Sequence, residues 1–142
     1  MEPIYQTEIK EIGPEVPEFL DMGLLITFAV GAPPELAEMS VLHEPTHRRE
    51  QPPEPGDVLA IGPLEFRITA IGGKAWKNVT DLGHAVFAFN GATEVELPGQ
   101  IYVEPQGAEL LSQEIRPGAR LEIRSGAGST DALTREGTVS EP

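Results

Sequence analysis

Apolar positions along the chain fall into short runs separated by proline and glycine, a rhythm that suits strands joined by turns better than long helices. Residues 4–12 and 24–30 are rich in Ile, Thr, Tyr, Phe and Val, and Gly13-Pro14 and Gly31-Ala32-Pro33-Pro34 end them. Proline cannot donate to a ladder and glycine accepts unusual dihedrals, so both runs read as strands. Residues 33–39 read as a short helix, with proline placed where its missing N–H does no harm and acidic residues in the first turn. That helix leads straight to Val41-Leu42-His43. Residues 44–55 hold four prolines and several charges and are expected as an exposed loop, which puts His43 at a boundary.

Beyond Gly56 the pattern predicts paired strands over 57–61 and 64–71, connected tightly by Gly62-Pro63. Residues 74–82 place Ala75, Val79 and Leu82 on one helical face, and Gly83 supplies a left-handed C-terminal cap. His84 then opens a strand over 85–89. Asn90-Gly91-Ala92 is expected to fold it into a hairpin with 93–97, because Asn and Gly both tolerate positive φ. Two more strands are expected over 100–103 and 120–124. About nine short strands and two short helices imply a mostly β fold, a small closed or partly open β-barrel with one or two short helices, since closure removes exposed edges. A sandwich is the competing architecture. Residues 1–124 are expected to form one domain, and 125–142, small and polar, a flexible tail.

Charge narrows the partners. Ten Lys and Arg against twenty-three Asp and Glu give a net charge of -13, which argues against nucleic acid, whose phosphates need basic neutralisation. A protein or small-molecule partner is expected instead. The chain has no cysteine, so disulfides, thiolate ligands and a cysteine nucleophile are excluded. The first residues, Met1-Glu2-Pro3-Ile4-Tyr5, resemble no signal peptide, and no apolar run approaches a bilayer span. A cytoplasmic protein that is not membrane-embedded is expected.

Three histidines, His43, His47 and His84, are the side chains that titrate nearest neutral pH. A histidine at a strand end is most often a hydrogen-bonded structural residue, and each is weighed against that. His43 and His47 have the i, i+4 spacing of helical metal ligands, but Pro45 between them disfavours a helix, so no metal site is expected. No Gly-x-Ser-x-Gly segment supports a serine nucleophile. Gly72-Gly73-Lys74 suggests phosphate binding at a helix start, yet a plain strand-to-helix turn explains it better, and the full P-loop pattern is absent. Arg48-Arg49 reads as part of a solvated face.

The order and spacing of short strings over about a hundred residues resemble the glucitol/sorbitol-specific IIA family of the sugar phosphotransferase system. The strings are Ile4-Tyr5-Gln6-Thr7-Glu8-Ile9, Ile12-Gly13, Met22, Leu25-Ile26-Thr27-Phe28 and Gly31-Ala32-Pro33 with Leu36 and Glu38, leading to His43. They resume at Gly56, Gly62, Thr69-Ala70, Gly72, Asn78, Leu82-Gly83-His84, Phe89-Asn90-Gly91 and Glu96-Leu97-Pro98-Gly99. The resemblance implies a relay without a cofactor, in which phospho-HPr donates a phosphoryl group to His43 and a IIB component takes it on for hexitol uptake. It suggests Nε2 as the phosphorylated nitrogen, and His84 as a supporting donor that orients His43 or binds phosphoryl oxygens. The pattern departs right after His43, where this chain has Glu44-Pro45-Thr46-His47-Arg48-Arg49, so no role is carried over to His47. A barrel of the same fold that binds or regulates without transfer is the alternative.

Overall fold

In the computed structural model, which describes residues 3–105 and 108–126, eight strands form among those residues: β1 (Pro3–Ile12), β2 (Leu24–Ala29), β3 (Val41–Arg48), β4 (Val58–Ile61), β5 (Leu64–Ile71), β6 (Ala85–Ala88), β7 (Gln100–Val103) and β8 (Arg120–Arg124). Four short helices lie between them: α1 (Val16–Asp21), α2 (Pro34–Ala37), α3 (Ala75–Leu82) and α4 (Ala108–Glu114). The strands close into a barrel in the order β1-β3-β2-β6-β7-β5-β4-β8, with β8 returning to β1. The pairs β2–β3 and β6–β7 are parallel and the rest antiparallel. The sandwich alternative is therefore excluded.

The two-residue period of a half-wet sheet builds the core. In β5, Phe66, Ile68 and Ala70 are buried while Glu65 and Arg67, on the alternate positions, are exposed. Ile4, Leu25, Leu59, Ile101 and Ile123 contribute equivalent positions from other strands and are almost fully buried. Each such side chain stabilises the barrel by roughly 1.5–3 kcal/mol through the apolar area it removes from water.

Three expectations need correction. Residues 44–48, read as the start of a loop, continue β3 as a strand that is exposed on its outer side. The ladder tolerates Pro45 because the register shifts there: Thr7 faces Pro45 while Gln6 faces His47, leaving Thr46 as the extra residue of a bulge. His43 is therefore inside a strand and not at its edge. The Asn90-Gly91 hairpin does not form, and 93–97 is not a strand. Because β6 and β7 run parallel, the chain must cross back along the barrel before pairing, which a tight turn cannot do. Asn90 and Gly91 still make a turn, with Gly91 at φ 66° and the Ala92 N–H donating to Asn90 Oδ1.

The third correction is the helix count, four instead of one or two. The six residues of α1 include Pro17 and have no side-chain N-cap, so their local signal is weak. They are held instead by burying Val16 and Leu20 and by packing on α4 and β2. The tail expected from residue 125 lies, past Gly126, outside the described residues.

Helix α3 positions the site. It buries Ala75, Trp76 and Val79, and ends at Gly83 in the left-handed conformation, where the Gly83 N–H donates to Val79 O. Trp76 Nε1–H donates to Arg49 O (2.9 Å), tying α3 to the segment after β3. Trp76→Phe keeps most of the buried ring and deletes that bond, so a loss of about 1 kcal/mol in urea unfolding is expected. An unchanged midpoint would show that the tie adds nothing.

Candidate functional site

Strand β3 lies between β1 and β2, with His43 opposite Ile9 on one side and Ala29 on the other. Like Ile9, His43 faces the barrel interior, and it is only 2% exposed. Both ring nitrogens are engaged: Nε2 lies 2.7 Å from the Gly83 carbonyl and Nδ1 lies 2.5 Å from Thr7 Oγ1. A carbonyl oxygen only accepts, which assigns the proton to Nε2. Nδ1 of the neutral ring then accepts from the Thr7 hydroxyl.

The chain of bonds continues past the ring. Thr27 Oγ1 donates to the same Gly83 carbonyl (2.9 Å) and accepts from the Ala85 N–H (3.1 Å). Gly83 can aim its carbonyl this way because it sits at φ 65°, and because its missing Cβ leaves room for Ala29 of β2.

Burial pushes the His43 pKa below its ordinary 6.5, and the hydrogen bond to Gly83 opposes this more weakly. The ring is therefore neutral at pH 7. The unfolded chain binds the proton more readily, so His43 supports the fold fully above pH 6.5, and that support is lost as pH falls from there through the lowered folded value. The slope from one such group is at most about 1.4 kcal/mol per pH unit. Urea midpoints measured from pH 7 down to pH 5 are expected to fall less steeply in His43→Gln than in wild type; equal slopes would show that His43 is not the group being charged.

Tyr5 borders the ring, edge-on at 6.1 Å between centroids, and its hydroxyl is buried with no hydrogen-bond partner among the described residues. Burial pushes this phenol up to about 12, with Arg48 pulling it down less. The space enclosed beside His43, Tyr5, Thr7 and Thr27 measures about 10 Å³. It is no larger than a single water-sized sphere, so a hexitol does not fit there.

His84 follows Gly83 but turns the other way. Its ring stacks on Phe28 at 4.2 Å and its Nδ1–H donates to Thr27 O (3.2 Å). Half-buried, it makes no hydrogen bond to the His43 ring among the described residues, although the carbonyl just before it does. His47 lies exposed on the outer part of β3. The two site histidines are thus joined through backbone, by Gly83 and Thr27, and not through their rings. No group of three or more His, Asp or Glu side chains converges among the described residues. At Gly72-Gly73-Lys74 the Gly72 and Lys74 N–H groups donate to Gln100 O and Pro98 O, so they bind the chain itself, as a plain turn does.

Thr7, Thr27 and the Gly83 carbonyl were not singled out by sequence. One signal was available: Thr7 and Thr27 occupy inward positions in strands whose neighbouring inward positions, Ile9 and Leu25, are apolar. A hydroxyl in such a row calls for a buried partner.

Comparison with known proteins shows the family and the fold. The profile of the glucitol/sorbitol-specific IIA component of the phosphotransferase system matches residues 4–124. Glucitol/sorbitol-specific EIIA components from Shigella flexneri and Escherichia coli K12 are each 35% identical over 123 residues, covering 86% of this chain and 95% of theirs. The crystal structure of a phosphotransferase-system IIA component from Enterococcus faecalis V583 has the same fold, with a TM-score of 0.69 at 21% identity over 84% of this chain and 98% of that one. With its profile matched from β1 to β8, the chain belongs to the glucitol/sorbitol-specific IIA family of the phosphotransferase system.

Proposed function

We propose that this chain is a cytoplasmic phosphocarrier that takes a phosphoryl group from phospho-HPr onto His43 and passes it to a IIB component serving glucitol uptake. The observation that carries this reading is the neutral imidazole of His43, held by its own hydrogen bonds beside the Gly83 turn. An uncharged ring is a competent nucleophile near pH 7 and forms a reversible phosphoramidate without a metal. Transfer of this kind depends mainly on positioning and on donors to the equatorial oxygens, some of which the partner supplies. His84, adjacent to the turn that has to move, is the candidate donor on this side. Among the described residues, no helix is long and apolar enough to cross a membrane.

Burial of His43 with both nitrogens bonded would also suit a barrel that binds without transfer. The space of about 10 Å³ beside it disfavours a small ligand in the interior. A second reading of the acceptor has a specific observation behind it: Nδ1–H of His84 is bonded to Thr27 O, which leaves the Nε2 edge of a half-buried ring for the acceptor role. The deciding experiment incubates the protein with phosphoenolpyruvate, enzyme I and HPr and reads intact mass. One acid-labile phosphoryl group is expected, and no gain with a competent HPr would overturn the carrier reading.

A further inference from the structure

The two sides of the His43 ring are closed by different kinds of structure. Nδ1 faces Thr7 in the middle of β1, a strand paired to β3 on one edge and to β8 on the other. Nε2 faces the carbonyl of Gly83, the cap residue that with His84 joins α3 to β6. Reaching Nδ1 from outside means opening sheet ladders, whereas reaching Nε2 means displacing one turn. Gly83 itself is buried, but the chain just before it reaches the surface, since Leu82 is 54% exposed. A protein partner therefore approaches from the Nε2 side.

The resting ring has the wrong proton for that approach, because Nε2 carries the hydrogen and Nδ1 the lone pair. A phosphoryl group can be accepted at Nε2 only when the ring proton is on Nδ1, and Nδ1–H then needs an acceptor in a tightly filled interior. A threonine hydroxyl can fill both roles, donating in one state and accepting in the other; a carboxylate or a carbonyl could only accept.

Resting on the carrier reading above, we infer that Thr7 is a positioning residue for the transfer, its hydroxyl donating to Nδ1 of the resting ring and accepting from Nδ1–H of the phosphorylated one, while the Gly83 carbonyl, held by Thr27, is a latch over Nε2. When the turn opens, Nε2 gives its proton to solvent and Nδ1 takes one up, so the ring stays neutral. The Nε2 lone pair then forms the new N–P bond as the P–N bond of the donor histidine, protonated on its other nitrogen, breaks and its electron pair returns to the donor ring. The positive ring charge passes with the phosphoryl group to His43, whose Nδ1–H then donates to Thr7. Thr7 touches neither phosphorus nor donor; it acts through the ring.

The test uses the intact protein with histidine labelled for nitrogen NMR, as wild type, Thr7→Val and Thr7→Ser. In wild type the proton is expected on Nε2 before phosphorylation and on Nδ1 afterwards, with the phosphoryl group on Nε2. Thr7→Val is expected to slow phosphorylation by phospho-HPr roughly ten- to a hundredfold, the effect of removing one buried hydrogen bond. Thr7→Ser, which restores the hydroxyl, is expected to recover most of the rate. A folded Thr7→Val that is phosphorylated at the wild-type rate would overturn the role of Thr7 alone. A phosphoryl group found on Nδ1 would do so without any variant, even if Thr7→Val failed to fold. Wild type that takes up no phosphoryl group would instead overturn the carrier reading, and this role with it.

Discussion

His43→Gln is expected to take up no phosphoryl group from phospho-HPr under conditions that label wild type fully. The glutamine amide can still donate to the Gly83 carbonyl, so the barrel keeps its bond there, but it has no nucleophilic nitrogen. His43→Ala should be equally inert and also less stable by about 2–4 kcal/mol, because it leaves a cavity and strips Thr7 of its partner. The loss is limited because Gly83 O still accepts from Thr27. Intact mass and urea unfolding on the two variants separate chemistry from packing. If His43→Gln were labelled as well as wild type, His84 would become the acceptor and the network around His43 would be structural.

The second large effect is on stability. Gly83→Ala forces a side chain into a backbone at φ 65° and places its Cβ 2.8 Å from Ala29 N and 2.9 Å from Ala29 Cβ. Ala29 is the last residue of β2 and hydrogen-bonded in the wall, so the turn has to give way. The combined cost is expected to be about 2–4 kcal/mol, a large share of a typical domain's stability. Gly73→Ala is the control: nothing lies within 4 Å of its Cβ, and a change below about 0.5 kcal/mol is expected. Equal unfolding midpoints for the two variants would show that the Gly83 turn does not depend on its glycine.

Most strands were legible because their signal is local. Phe66, Ile68 and Ala70 alternate with the polar Arg67 and Thr69 in β5, and the helix face of Ala75 and Val79 with its glycine cap predicts α3 and its end closely. What could not be read depends on which strand neighbours which. Pro45 looks like a breaker until Thr7 is seen opposite it with a bulge to absorb it, and Asn90-Gly91 looks like a hairpin until β7 is found parallel to β6. The same holds for the site. His43 was conspicuous as a residue type and by resemblance, but its closure by Thr7 and Gly83 arises from contacts 36 and 40 residues apart in sequence. No local pattern encodes such contacts.

The barrel closes between its first strand and its last, where Gln6 Nε2 donates to Glu122 Oε2 across 116 residues of chain. A nascent chain emerging from the ribosome therefore carries β1 with one edge unsatisfied until β8 has been synthesised. Closure across such a separation makes a slow final step, and the open edge is the point most exposed to mispairing with another chain. Until β8 arrives, Thr7 sits in a half-paired strand, so the environment of His43 is completed by nearly the last residues of the barrel to be made.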